Sequence, residues 1–155
     1  MEQTIEAYEN ILEEFRKLIK SSNLKYTKQR EFILEAIFYN KGHFTPEDIY
    51  NLILKKHPKS NIGIATVYRT LGFLENSNLV TSISFGTQGK KYEFGLGKHH
   101  DHLVCLSCGK IFEFHNETIE RKQKEIAKEF NFKMTGHFMK ITGICSECIE
   151  KMEGE

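Results

Sequence analysis

Ile64-Ala65-Thr66-Val67-Tyr68-Arg69-Thr70-Leu71-Gly72-Phe73-Leu74-Glu75, with the residues that follow to Phe94, decides the fold. Val67, Leu71 and Leu74 recur at helical spacing. A helix therefore begins at Thr66 or nearby Ala65 and ends at Asn76-Ser77-Asn78. Two short strands come next, Leu79–Phe85 and Lys91–Phe94, joined by the tight turn Gly86-Thr87-Gln88-Gly89.

Working backwards from this segment, Thr45-Pro46-Glu47-Asp48 is a helix start. Thr45 caps, Pro46 sits where its missing N–H costs nothing, and Asp48 completes a capping box. Ile49, Leu52 and Ile53 form the apolar face of that helix, and His57-Pro58 ends it. Thr27 caps an earlier helix with Phe32, Ile33, Ala36 and Ile37 inward, stopping near Asn40-Lys41-Gly42. A further helix over Thr4–Lys20, closed by Ser21-Ser22-Asn23, precedes it. Helices followed by a hairpin are the order of a winged helix-turn-helix. A helical bundle carrying an incidental hairpin is the alternative.

Working forwards, Gly95-Leu96-Gly97-Lys98 breaks both kinds of regular structure and reads as a hinge at 95–98. The expected organisation is α+β. Residues 1–94 form a winged-helix domain with an extended N-terminal helix, and residues 99–155 form a small α/β domain of order β-β-α-β. In the second domain, His102–Leu106 and Lys110–Phe114 read as strands around a Cys-bearing turn. Glu117–Phe130 reads as a helix packed through Ile119, Ile126, Ala127 and Phe130. Phe132–Ile144 reads as a strand, and a charged, frayed tail follows Cys148. So short a domain holds little core of its own, so a metal, a partner subunit or both should complete it.

Composition bounds the function. The 155 residues are 39% apolar and 28% charged, as in a soluble globular chain. No apolar run approaches the length of a spanning helix, so no membrane partner is expected. The acidic start MEQTIEAYEN lacks a signal peptide's basic end and apolar centre, which predicts a cytoplasmic protein. The net charge of +1 excludes a highly basic nucleic-acid coat. Its distribution is uneven, however: Phe15–Lys98 carries net +8 and His99–Glu155 net −2. The first stretch suits a polyanion, although a solvated charged surface would read the same way.

The four cysteines come only as pairs, Cys105-Leu-Ser-Cys108 and Cys145-Ser-Glu-Cys148, with 36 residues between the pairs. In a chain without an export signal, this pattern favours a closed, structural Zn²⁺ site of four thiolates. Disulfides, an iron–sulfur cluster and a redox thiol pair are the other readings. His99-His100-Asp101-His102 is a second metal signal. On an extended chain, His100 and His102 face one way and His99 and Asp101 the other, so one segment serves two N/O sites. His43, Glu93, Glu113, Glu120, His115 and His137 are the remaining candidate ligands, and spacing alone does not allocate them.

The Ile64–Thr70 helix start is the candidate recognition element, since a major groove accepts one helix led by its N-terminal part. Tyr68 offers a ring to a thymine methyl and a hydroxyl to phosphate. Arg69 offers a guanidinium to guanine or phosphate, and Thr66 a hydroxyl to phosphate. Lys25, Lys28 and Arg30 near the second helix, with Lys90 and Lys91 on the wing, supply further cations.

The segments HHDHLVCLSCGKIFEF (His99–Phe114), IGIATVYRTLGFLE (Ile62–Glu75), KYEF (Lys91–Phe94), His137 and the final CSEC together resemble the ferric uptake regulator family from Leu24 onward. The resemblance implies a homodimeric repressor that binds inverted-repeat promoter DNA when loaded with metal, its second domain being the dimerisation domain. It implies structural zinc at Cys105, Cys108, Cys145 and Cys148. It implies a regulatory site at His43, Glu93, His100, His102 and Glu113, and an additional site at His99, Asp101, Glu120 and His137. Lys25 matches a basic residue of the family near an A/T-rich minor groove. Glu at 93 and 113, where peroxide sensors usually have Asp, favours Fe²⁺ as the sensed ion, with Mn²⁺ or Zn²⁺ as in vitro substitutes. Peroxide-sensing and zinc-sensing relatives are the alternatives within the family. A metallohydrolase or a metal-storage protein are the alternatives outside it. No HExxH or evident nucleophile supports hydrolysis, and storage leaves Tyr68, Arg69 and the wing unexplained. His115 falls outside the pattern and reads as a surface residue.

Overall fold

The computed structural model describes residues 3–84, 89–95 and 98–154. The chain divides into two compact units, Met1–Gly97 and Lys98–Glu155. Phe85–Gln88 of the expected hairpin turn and Leu96 and Gly97 of the expected hinge lie outside the described residues.

The first unit runs α1 (Ile5–Ser21), α2 (Lys28–Tyr39), α3 (Pro46–Lys56), α4 (Ile64–Asn76), β1 (Val80–Ser84) and β2 (Lys90–Phe94). Threonine side chains start three of these helices. Thr4 accepts from the Ala7 N–H, Thr27 from the Arg30 N–H, and Thr45 forms a complete capping box with Asp48. Asn23 and Asn78 take left-handed φ just past α1 and α4, a conformation their short polar side chains tolerate. α4 begins at Ile64 with Gly63 as its cap, earlier than Thr66 or Ala65, and no side chain accepts a cap hydrogen bond there. β1 and β2 pair antiparallel, Val80 opposite Phe94 and Ser84 opposite Lys90.

α2 touches α1, α3, α4 and β2. It therefore buries Leu34 and Phe38 as well as Ile33, Ala36 and Ile37, whereas Phe32 is only half-buried. The one-sided face expected from its sequence is corrected by α1, which lays Ile11, Leu12, Phe15 and Ile19 against the same core. The N-terminal extension is thus part of the core of the winged unit. Each fully buried side chain of this size contributes about 1.5–3 kcal/mol.

The second unit runs β3 (Asp101–Cys105), β4 (Ile111–Phe114), α5 (Glu117–Glu129), β5 (Lys140–Gly143) and α6 (Ser146–Glu153). Its sheet has the order β4-β3-β5, with β3 antiparallel to β4 and parallel to β5. Three expectations are corrected here. The strand over Phe132–Ile144 shrinks to Lys140–Gly143, because only those residues find ladder partners on β3. The tail after Cys148 is not frayed, since α6 runs through it, begun by Cys145. α5 buries none of its residues: Ile126 is 54% exposed, and Phe130 just beyond it is 79% exposed. Ile119 and Ala127 on the apolar side of α5 are only half-buried. Among the described residues of this unit, the buried ones are Asp101, His102, Val104, Cys105, Gly109 and Cys148. Among the described residues, no helix is long and apolar enough to cross a membrane.

Candidate metal centres and DNA-facing surface

The first centre grows from two tight turns. Gly109 follows Cys108 with φ +73°, a left-handed conformation that costs a glycine nothing, and its N–H donates to the Cys105 carbonyl at 2.9 Å. This turn folds Cys105 and Cys108 towards the start of α6, which carries Cys145 and Cys148. The Cys105 and Cys148 sulfurs lie 3.9 Å apart, and those of Cys108 and Cys145 3.8 Å apart. These spacings are far too long for disulfides, and all four cysteines are free. They match the sulfur–sulfur edge, about 3.8 Å, of a tetrahedron with Zn–S bonds of about 2.3 Å. Backbone N–H groups of Cys108 and Cys145 pull the Cys105 thiol down to about 6. The Cys148 N–H favours the Cys145 thiolate too, but burial and the neighbouring sulfurs outweigh it and push Cys145 up to about 12. Crowded thiols resist ionising together, and a central cation removes that conflict.

The second centre lies on one face of β3. Asp101 is 1% exposed, and neither of its oxygens makes a hydrogen bond among the described residues. His99 Nε2 stands 3.4 Å from Asp101 Oδ1 and His137 Nε2 3.6 Å from it, while Glu120 Oε1 lies 3.5 Å and 3.2 Å from the same two nitrogens. Glu120 is placed by the first turn of α5, whose cap Asn116 accepts the Thr118 and Ile119 N–H groups. A buried carboxylate with no donor is costly. Two carboxylates and two imidazoles converging in this way suit a divalent cation.

The other face of β3 carries His100, His102 and Glu113. The His100 and His102 rings meet edge to face at 4.7 Å, and His102 is paired with Glu113 in the β3–β4 ladder. His100 Nε2 is 3.5 Å from Glu113 Oε1. Its Nδ1 lies 2.9 Å from the Lys98 carbonyl, which only accepts. Nδ1 therefore donates to it, which makes Nε2 the ring atom open to a metal when the imidazole is neutral. The alternation expected of His99-His100-Asp101-His102 is realised, with one pair on each face.

In the winged unit, His43 Nε2 lies 3.1 Å from Glu93 Oε2. The backbone fixes this pair: Phe44 and Tyr92 exchange N–H···O bonds of 2.8 and 2.7 Å, which aligns the chain before α3 with β2. Thr81 Oγ donates to the other Glu93 oxygen at 3.4 Å.

On the same unit, Lys25, Arg30, Thr66 and Arg69 line one cleft of about 170 Å³ together with Thr27, Gln29 and Thr70. Gln29 and Thr70 escaped the sequence reading. Thr70 lies four residues after Thr66, on the same helical face, and that spacing was the available signal. The other cations are placed elsewhere. Lys28 pairs with Glu31 at 2.6 Å, and Lys90 pairs with Glu75 at 3.2 Å. Lys91 faces Ile83 in the wing ladder. Tyr68 is 49% exposed, and its hydroxyl donates to Glu47 rather than standing open to phosphate. His115 is exposed.

The family model for the ferric uptake regulator family matches residues 21–142. The chain belongs to the ferric uptake regulator family. It is 52% identical over 141 residues to the ferric uptake regulation protein of Campylobacter jejuni, covering 91% of this chain and 90% of that one. The ferric uptake regulator of Helicobacter pylori, whose structure is described as revealing three functional metal binding sites, aligns with a TM-score of 0.81 at 39% identity. That alignment covers 92% of this chain and 93% of the other. A zinc-bound manganese uptake regulator aligns with a TM-score of 0.60 at 30% identity over 84% of this chain and 97% of that one. The winged-helix and small α/β architecture is the architecture of this family. The chain is a metal-binding transcriptional regulator and not an enzyme.

Proposed function

We propose that this regulator is an Fe²⁺-responsive repressor that acts in the cytoplasm as a homodimer on inverted-repeat promoter DNA. The observation that carries the reading is the two-faced ligand strand, with His100 and His102 on one side and Asp101 with His99 on the other. Its relatives from Campylobacter and Helicobacter, named for ferric uptake regulation, favour iron. Imidazole and carboxylate together suit Fe²⁺ and need no soft sulfur ligand.

In this reading the cysteines hold structural zinc. His99, Asp101, Glu120 and His137 hold an additional ion, and three sites in all would parallel the Helicobacter protein. His43 and Glu93 of the winged unit join His100, His102 and Glu113 of the second unit in holding the regulatory ion. A divalent ion supplies the positive charge that each partial ligand set lacks. His43 and Glu93 tie the reading head down, while His100, His102 and Glu113 anchor it to the dimer base. Ligation shifts DNA affinity only as far as it prefers the binding-competent arrangement, and a hundredfold preference is worth about 2.7 kcal/mol per site.

Dimerisation draws support from the second unit's exposed apolar residues. Leu103, Phe112, Ile141 and Ile144 are between 39% and 44% exposed on the sheet and its edge, and Ile126 of α5 is 54% exposed. Arg69, Thr66 and Lys25 then meet DNA, with phosphate contacts giving affinity and base contacts selectivity. His100→Ala tests the switch. The dimer should persist in analytical ultracentrifugation while metal no longer raises DNA affinity. An unchanged metal dependence removes His100 from the regulatory site.

A further inference from the structure

Tyr68 and Glu47 present an arrangement that recognition by α4 alone does not require. Tyr68 projects half-exposed from the early turns of α4, and its hydroxyl donates to Glu47 Oε1 at 2.5 Å. Glu47 is itself rigidly placed. It lies in the first turn of α3, between Pro46 at the first helical position and Asp48 of the capping box. The Asp48 carboxylate accepts the Thr45 N–H at 2.9 Å, and the Thr45 hydroxyl accepts the Asp48 N–H at 3.1 Å, so this turn has little freedom. The hydrogen bond from Tyr68 to Glu47 raises the phenol above its ordinary value, so the proton stays on the Tyr68 oxygen.

Two consequences follow. A phenol tethered at its far end keeps one rotamer, so its ring meets the groove already oriented, with less side-chain entropy left to lose. Its donor is also spent on a carboxylate rather than offered to a phosphate. The carboxylate adds a second effect. An exposed Glu beside the recognition helix repels the DNA backbone, which weakens binding wherever phosphates approach without a compensating base contact.

We propose that Glu47 is a positioning residue for sequence discrimination. It struts the Tyr68 ring against base edges and disfavours unspecific backbone contact. The inference rests on the DNA-binding reading above and adds to it a residue that touches no base itself.

The test uses the full metal-loaded chain and the duplex that wild-type protein enriches from a random-sequence library, compared with a scrambled duplex of equal length. Tyr68→Phe and Glu47→Ala should each lower the ratio of the two affinities by about three- to tenfold, the scale of one hydrogen bond. The double variant should lose no more than Glu47→Ala alone, because Tyr68→Phe removes a contact that Glu47→Ala has already removed. Glu47→Gln keeps an acceptor oxygen and should hold the affinity for the enriched duplex near wild type, while its lost charge strengthens binding to the scrambled duplex. Both positions are on the surface, and thermal melting confirms that each variant folds. Intact enrichment with additive losses, or a Tyr68→Phe ratio equal to wild type, overturns this inference alone. A wild-type chain that enriches no duplex overturns the DNA reading and the inference with it.

Discussion

Removing one sulfur from the cysteine cluster should unfold the second unit and leave the first intact. Among the described residues of the second unit, the buried apolar side chains are Val104, Cys105 and Cys148. Even at about 2 kcal/mol each, that burial gives roughly 6 kcal/mol. Structural zinc held by the four thiolates, as proposed, would supply about 10–16 kcal/mol, so metal rather than core should decide whether this unit folds. The winged unit differs, because its core joins Phe15, Ile33, Ile37, Ile49, Leu71 and Leu74 without any cysteine. The perturbation is Cys105→Ala, or chelation of the wild-type chain under reducing conditions with metal loss verified by elemental analysis. The assay is amide hydrogen exchange read by segment. Protection should vanish across residues 101–114 and 140–153, persist across residues 28–76, and the dimer should dissociate. Full protection of residues 101–114 in verified metal-free protein would refute the reasoning.

Arg69→Ala should weaken binding to the enriched duplex and cost about 1–3 kcal/mol of base discrimination if its guanidinium reads guanine. Equal losses on enriched and scrambled duplexes in a gel-shift titration would make it a phosphate contact instead. Glu35 responds to pH: burial pushes its carboxyl up, but hydrogen bonds from Lys56 at 2.9 Å and His57 at 2.8 Å outweigh burial and hold it low. A carboxyl depressed on folding stabilises above its unfolded value, about 4.3, and that contribution is lost as pH falls through the folded value. Melting temperature should therefore drop below about pH 4.3 less steeply in Glu35→Gln than in wild type, and parallel curves would contradict this. Tyr8 carries a buried hydroxyl with no hydrogen-bond partner among the described residues, and its ring packs on Phe38 at 5.3 Å and Tyr39 at 5.1 Å. Tyr8→Phe should match wild-type stability or exceed it by up to about 1 kcal/mol in urea unfolding, and a clear loss would show that the hydroxyl is satisfied.

Features set by local chemistry were legible in the sequence. Thr27 and Thr45 announce their helices because a hydroxyl at that position accepts an orphan N–H wherever the helix lies. His99-His100-Asp101-His102 splits between two faces because a strand alternates. The two CxxC turns declare themselves by spacing. What escaped depends on partners from elsewhere in the fold. Leu34 and Phe38 are buried because α1 covers a side of α2 that periodicity assigns to solvent. β5 stops at four residues because only His102–Cys105 of β3 pair with it. α6 has a charged, unremarkable sequence and is anchored by Cys148, whose burial comes from the sulfur cluster. Lys90 looked like a free wing cation and is held by Glu75 from the end of α4. The Lys28–Glu31 pair, by contrast, was readable at i,i+3 spacing.

The central claim is that filling the His43, Glu93, His100, His102 and Glu113 ligand set switches DNA affinity. The most direct measurement is an anaerobic titration of buffered Fe²⁺ into zinc-replete protein, recording affinity for the enriched duplex alongside bound iron. Affinity should rise in step with iron occupancy in wild type and stay flat in His43→Ala, whose winged unit keeps its fold. Wild-type affinity that is equally high without iron, or a His43→Ala chain that responds like wild type, would contradict the account.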